Sequence, residues 1–426
     1  MIVNRSHTLN RSSIADPDQL LAAVANLAGG EPLRWYVSDA NANKIVIEST
    51  EYTGSLPASS ARPPLPLGGA DVVVSIIPTG IGCEIGGYAG DAGPATALLA
   101  AAADCVVTNP NAVNASNFIA DDSRILYTEG SCIDAFVRGD VNLYRPRANR
   151  VGVIVEKADP EAIEHVLNVI NAVRAVHGVD VIDYVVTEDP IGSHCERTES
   201  GAYVGSIERP DLLLDSAQTL LDRGATAIAV TTNVQDLRPE DYASHFLGKH
   251  PNPVGGVEAV ISHLIVKAKG VPTAHAPMMN FKNLSLNDRI VDARSAGEFV
   301  STSGLACVLI GLRHAPQIFQ DRTPCRLSAG IGIEDVVAVV APAGALGGVP
   351  VLEAARRGIP VIAVRGNTTI LDVGAQALGL LNVIEVSGYA EAAGVILALR
   401  NGISLDTIDR PMVTLGREAR YVHDRG

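Results

Sequence analysis

Residues 71–80, DVVVSIIPTG, return in outline at 183–192 (DYVVTEDPIG) and at 335–344 (DVVAVVAPAG), all on the pattern D-x6-P-x-G. A short β-branched apolar run reads as a buried strand, and the Pro-x-Gly that closes it reads as a turn. Each copy then proceeds to a Pro suited to the first turn of a helix (Pro94, Pro210, Pro350) and to an Ala- or Leu-rich stretch. A second apolar strand follows, with polar ends at Thr108-Asn109, Thr232-Asn233 and Arg365-Gly366-Asn367. The expectation is an α/β protein of Rossmann-like, three-layer, parallel-sheet units containing three diverged β-loop-α-β repeats.

Size and composition agree with that class. The 426 residues suffice for two or three domains, and breaks in the pattern suggest lobes at 1–146, 147–290 and 291–426. Hydrophobic residues make up 47% of the chain and aromatics only 4%, which suits apolar strands packed between small helix residues. A net charge of −14 argues against nucleic acid as the main partner, because a phosphate backbone calls for a basic face. The opening MIVNRSHTLNR lacks an apolar core, and no apolar run is long enough for a membrane span, so a cytoplasmic protein without a membrane partner is expected. The six cysteines form no CxxC pair, which favours reduced thiols. A homo-oligomer is left open.

In the first two copies the match runs on through Cys83-Glu84 and Cys195-Glu196, giving P-x-G-x-x-C-E twice. A thiolate is a proton-transfer base when N–H groups or cations lower its pKa, and Gly-rich turns at strand ends supply such donors. Two thiols facing one substrate would take a proton from one side and return it on the other. The expected catalytic set is therefore Cys83 and Cys195, tuned by Glu84 and Glu196. The alternative is that each Cys is a small buried hydrophobe.

The loop after the first strand, TGIGCEIGGYAGDAG, holds Gly80, Gly82, Gly86 and Gly87, and its backbone could cradle a carboxylate or phosphate ahead of the Pro94 helix. Gly347 and Gly348 occupy the matching place in the third copy. Arg197 and Arg365 are candidate anion clamps, and Asn109, Asn233 and Asn367 are candidate orienting amides at strand ends. Asn111, Asn114 and Cys132 are weaker candidates, and His194, His263, His275 and His314 are the remaining histidines of interest.

The segments PTGIGCEIGGYAGDAGPAT, TNPNAVNASNF and GIPVIAVRGNTT together resemble a bacterial family of unknown function that is frequent in cyanobacteria. That resemblance implies no activity. The paired cysteines are similar in concept to the aspartate/glutamate racemase superfamily, although its Cys-Asn-Thr and Cys-Thr-His signatures are absent. The stretch GGVPVLEAARRGIPV resembles the nucleotide-sugar loop of two-domain glycosyltransferases and related epimerases, which would place Glu353 on a ribose.

The leading expectation is a cofactor-independent enzyme that moves protons at carbon on a small anionic, carboxylate-bearing metabolite: a racemase, epimerase, isomerase or lyase. Three others stand beside it. One is a hydrolase using a divalent metal such as zinc on Cys83, His194 and Cys195. The second is a nucleotide-sugar enzyme, and the third a metabolite-binding module without chemistry.

Overall fold

The computed structural model describes residues 1–27, 32–54, 70–88, 91–110, 122–278, 290–301, 303–319 and 330–414. Two parallel sheets carry the fold. The larger has six strands, in the order Val383–Val386, Val361–Val364, Val336–Pro342, Val72–Ser75, Cys105–Thr108 and Ile125–Tyr127. The smaller has four, in the order Thr273–Pro277, Ala227–Thr232, Arg150–Val155 and Asp180–Val186. Val72, Val73, Val74, Val106, Val107 and Val339 are fully enclosed, as expected of parallel strands covered on both faces.

The first and third copies of the repeat lie side by side, with Val336 opposite Val72 and Val340 opposite Ser75. From Ser75 the chain turns outward one way, through helix Gly93–Ala102 to the neighbouring strand Cys105–Thr108. From Pro342 it turns the other way, through helix Val349–Arg356 to Val361–Val364. Two similar units thus join at their first strands. The sequence-based lobes 1–146 and 291–426 accordingly contribute to one sheet rather than standing apart.

The second copy behaves differently. Its strand, Asp180–Val186, is the edge of the smaller sheet, and after it the chain makes a hairpin, Ser193–Arg197 against Tyr203–Ile207. The next long strand, Ala227–Thr232, passes beyond Arg150–Val155 instead of pairing with the strand that precedes it. A shared sequence outline therefore gives two different connections.

An antiparallel sheet near the N-terminus, with Lys44–Tyr52 between Ile2–Asn10 and Arg34–Ala40, lies against the Gly347 loop through a hydrogen bond from Val37 N to Gly347 O at 3.1 Å. Helix Gly255–Lys269 joins the two sheets. It packs on the hairpin strand Tyr203–Ile207, on strand Thr273–Pro277 and on helix Gly130–Arg138. Close approach to the hairpin requires two glycines: a Cβ at Gly205 would overlap Val257, and one at Gly256 would overlap the Tyr203 carbonyl. Among the described residues no helix is long and apolar enough to cross a membrane.

Candidate active site

In an open parallel sheet, the crevice outside the carboxyl ends of the strands is deepest where successive connections leave in opposite directions. Here that switch lies between Val72–Ser75 and Val336–Pro342. A cavity of ≈ 170 Å³ sits there, walled by residues 76–79 after the first strand and by 345–351 after the third-copy strand. Arg34 to Val37 close one side, and helix Gly255–Lys269 with the start of helix Gly130–Arg138 close another. Trp35, Ile77, Ile133, Val351 and Leu371 supply apolar surface.

Polar side chains line it as well, among them Arg34, Tyr36, Asn109, Glu129, Glu258 and His263. Arg34 donates from Nη2 to the Thr79 carbonyl at 3.0 Å, while its Nη1 is enclosed and has no hydrogen-bond partner among the described residues. Glu129 caps helix Gly130–Arg138 by accepting from Ser131 N (3.0 Å) and Cys132 N (2.9 Å), and its Oε2 lies 3.0 Å from His263 Nδ1. Burial alone would raise the Glu129 carboxyl, but His263 and these hydrogen bonds bring it below the usual range. One turn on, Asp134 is pushed up to about 6 by burial, against the pull of Arg138, His263 and Lys267. Glu258 and His275 complete the wall. Burial and then Glu298 hold Glu258 well above the ordinary carboxyl range, and burial lowers His275 to about 3.

The cysteines lie elsewhere. Cys83 is 0% exposed in the core of the six-stranded sheet, its Sγ 3.7 Å from Pro78 O, and burial raises its pKa far above the thiol value. Cys195 is half-buried on the hairpin, raised to about 11 by burial and then by Asp236. Neither lines the cavity. The structure does not bring the two thiols to it, because the second copy exits into an edge hairpin. Glu84 is held by Arg294 Nη1 at 2.5 Å, and Glu196 is exposed.

In the Gly loop the four amides of residues 84–87 are taken up by internal bonds. Glu84 N donates to Thr368 O, Ile85 N to Asn367 Oδ1, Gly86 N to Asp91 Oδ1 and Gly87 N to Cys83 O. Its glycines answer to packing: Gly80, at φ 74°, would put a Cβ 2.6 Å from Tyr203 O, and Gly82 and Gly86 also have positive φ. Asn109 and Asn367 are backbone clamps. Asn109 bonds both polar groups of Ile77 (2.9 and 2.6 Å), and Asn367 both of Ile85 (2.8 and 3.1 Å). Asn233 contributes its backbone N–H to Glu156.

Arg197 and Arg365 are exposed, and Arg197 bonds locally, to Gly201 O at 3.4 Å. His194 is held on the surface between Asp236 (2.5 Å) and Glu208 (3.1 Å), away from Cys83. Among the described residues no group of three or more His, Cys, Asp or Glu side chains is arranged to hold a metal ion, so the proposed zinc set is not assembled. Gly347 and Gly348 do line the cavity. Glu353 is instead buried in ion pairs with Arg356 (2.8 Å) and Arg357 (3.8 Å), which leaves no ribose-binding carboxylate there. Cys132 is enclosed beneath the Glu129 cap. Asn111, Asn114 and Cys325 lie outside the described residues.

A family model described as a protein of unknown function (DUF3326) matches residues 72–409. The chain belongs to the DUF3326 family. The match spans the sheet of the first and third copies and leaves Arg34 in the segment before it. A Synechococcus sp. (strain PCC 6301) protein named an uncharacterised lipoprotein is 37% identical over 342 residues, 79% of this chain and 93% of that relative. Both findings agree with the resemblance to a cyanobacterial family of unknown function. The relative's name also overturns the expectation of a cytoplasmic protein. The nucleotide-free structure of acetone carboxylase overlaps 36% of this chain and 20% of its own, at 13% identity and a TM-score of 0.14, too little to carry any argument.

Proposed function

We propose that this DUF3326 protein is an enzyme that binds a small carboxylate-bearing metabolite in the switch-point cavity and moves a proton at carbon. The observation that carries the reading is that one cavity is lined both by Arg34, whose buried Nη1 has no hydrogen-bond partner among the described residues, and by a buried pair, His263 with Glu129. Arg34 would bind the substrate carboxylate, the charge-assisted bond replacing the partner that Nη1 lacks. His263 would take the proton from carbon. Glu129, held ionised by its cap bonds, would steady the imidazolium. Apolar walls would keep water from the carbanionic intermediate.

The roles given to Cys83 and Cys195 by the sequence thus pass to His263 and its partner, and those of Arg197 and Arg365 to Arg34. The test is proton NMR of pyruvate and related short carboxylates incubated with the protein in D2O. Solvent deuterium should enter a C–H position of the probe, the methyl group in the case of pyruvate, with the wild type and not with His263→Ala, and Arg34→Gln should raise the half-saturating concentration. Binding of the carboxylates with no deuterium in any of them would leave a metabolite-binding module without chemistry.

A further inference from the structure

An acid as small as pyruvate would leave much of the switch-point cavity unused. At ≈ 170 Å³ the cavity exceeds the apolar space of about 150 Å³ that accommodates a benzene ring. Trp35, Ile77, Ile133, Val351 and Leu371 reach it from separate segments, and none of them is more than 8% exposed. Backbone bonds fix these walls. Asn109 holds both polar groups of Ile77, Val37 N donates to Gly347 O, and Ile370 N, next to Leu371, donates to Ile81 O at 3.1 Å. Walls held apart in this way do not collapse onto a small ligand, so the apolar lining gains contacts only from a ligand that fills the space.

The charged lining is one-sided. Among the described lining residues Arg34 is the only Arg or Lys, set against three carboxyl side chains, Glu129, Asp134 and Glu258. Two other polar groups are spent within the protein, the Asn109 amide on Ile77 and the Tyr36 hydroxyl as a donor to Glu48. One carboxylate of a ligand therefore finds a cation, whereas a second would face acids without a counter-charge. A hydroxyl-rich tail against the apolar walls would lose its water and gain no partners.

We infer that the substrate is a monocarboxylate carrying an apolar side chain of about three to six carbons, branched or aryl, lodged among Trp35, Ile77, Ile133, Val351 and Leu371. This rests on the reading above, in which Arg34 holds the carboxylate. The five apolar residues set specificity and take no part in the proton transfer. Dicarboxylates and sugar acids are disfavoured by the same walls.

The test is titration calorimetry on the full chain with pyruvate, 5-methyl-2-oxohexanoate and 2-oxoglutarate, the last matching the second in length but ending in a carboxylate in place of its isopropyl group. Burial of each added carbon is worth about fourfold in affinity, so the branched acid should bind at least ~10-fold more tightly than pyruvate. 2-Oxoglutarate should bind no more tightly than pyruvate. Equal affinity for pyruvate and the branched acid overturns the inference, and so does tightest binding of 2-oxoglutarate. Gly348→Val narrows the same space at an ordinary backbone angle, φ −87°, and should shrink the advantage of the branched acid at unchanged melting temperature. An undiminished advantage in that variant places the side chain outside this cavity and also overturns the inference. Deuterium entering the carbon beside the keto group in D2O, above the rate without protein, reads the proton transfer separately. The expected affinity order with no such exchange in any of the acids refutes the proton-transfer reading and leaves the substrate class standing, and exchange without that order does the reverse.

Discussion

Replacing Glu129 by Ala removes two things at once, and the structure separates their sizes. The carboxylate caps helix Gly130–Arg138 through Ser131 N and Cys132 N, and loss of such a cap costs about 0.5–2 kcal/mol. It also lies 3.0 Å from His263, with both side chains more than nine-tenths buried, and breaking a buried pair by removing one partner costs about 3–5 kcal/mol. Glu129→Ala should therefore destabilise by roughly 3.5–7 kcal/mol, and Glu129→Gln by less, because an amide oxygen still caps. His263→Ala should cost less when Glu129→Gln is already present, with a coupling of at least about 1.5 kcal/mol. Denaturant titration of the four proteins gives the cycle, and hydrogen exchange over 130–138 localises it. The sign with pH follows from the lowered carboxyl: the stabilisation is present above the unfolded carboxyl pKa and disappears as pH falls through the lower folded value. Additive single effects below about 1 kcal/mol would refute the buried-pair argument.

Gly256→Ala pushes a methyl into the Tyr203 carbonyl and should cost about 1–3 kcal/mol in thermal or denaturant unfolding. Cys83→Ser places a hydroxyl in a sealed apolar core and should lower the melting temperature while leaving carboxylate binding unchanged, as read by calorimetry. His194 has burial working against its charge, yet Asp236 and Glu208 raise its pKa overall. Its contribution is accordingly full below the unfolded histidine pKa and lost as pH rises through the folded value. His194→Asn should thus speed hydrogen exchange of the 193–207 hairpin at pH 6 and have little effect at pH 8.

The parallel strands were legible because runs such as Val72–Ser75 and Val336–Pro342 are apolar on both faces, and the helices because Pro94, Pro210 and Pro350 open them. What the repeat could not reveal is which strands pair. Matching first strands belong to one sheet in the first and third copies, while the second copy, with the same outline, ends in a hairpin at a sheet edge. The Cys-Glu pairs were conspicuous as sequence but answer to packing and surface bonding. The cavity groups come as single residues from separate segments, Arg34, Glu129, Glu258 and His263, with no spacing to link them. One signal was available: the helix GGVEAVISHLIVKAK is apolar around most of its circumference, and Glu258, Ser262 and His263 interrupt that surface where a solvent face would not need them.

Trp35 is the single tryptophan of the chain and lies on the cavity wall, which makes its fluorescence a local reporter. Gly348 lines the same cavity at an ordinary backbone angle, φ −87°, and a Cβ there would meet nothing nearer than Pro350 Cδ at 3.7 Å. Gly348→Leu should therefore fill the space without disturbing the fold. Titrating pyruvate and related short carboxylates into the two proteins should give a saturable Trp35 response in the wild type and none in Gly348→Leu at unchanged melting temperature. Equal saturable binding by both proteins would place the ligand elsewhere and remove the switch-point cavity as the site.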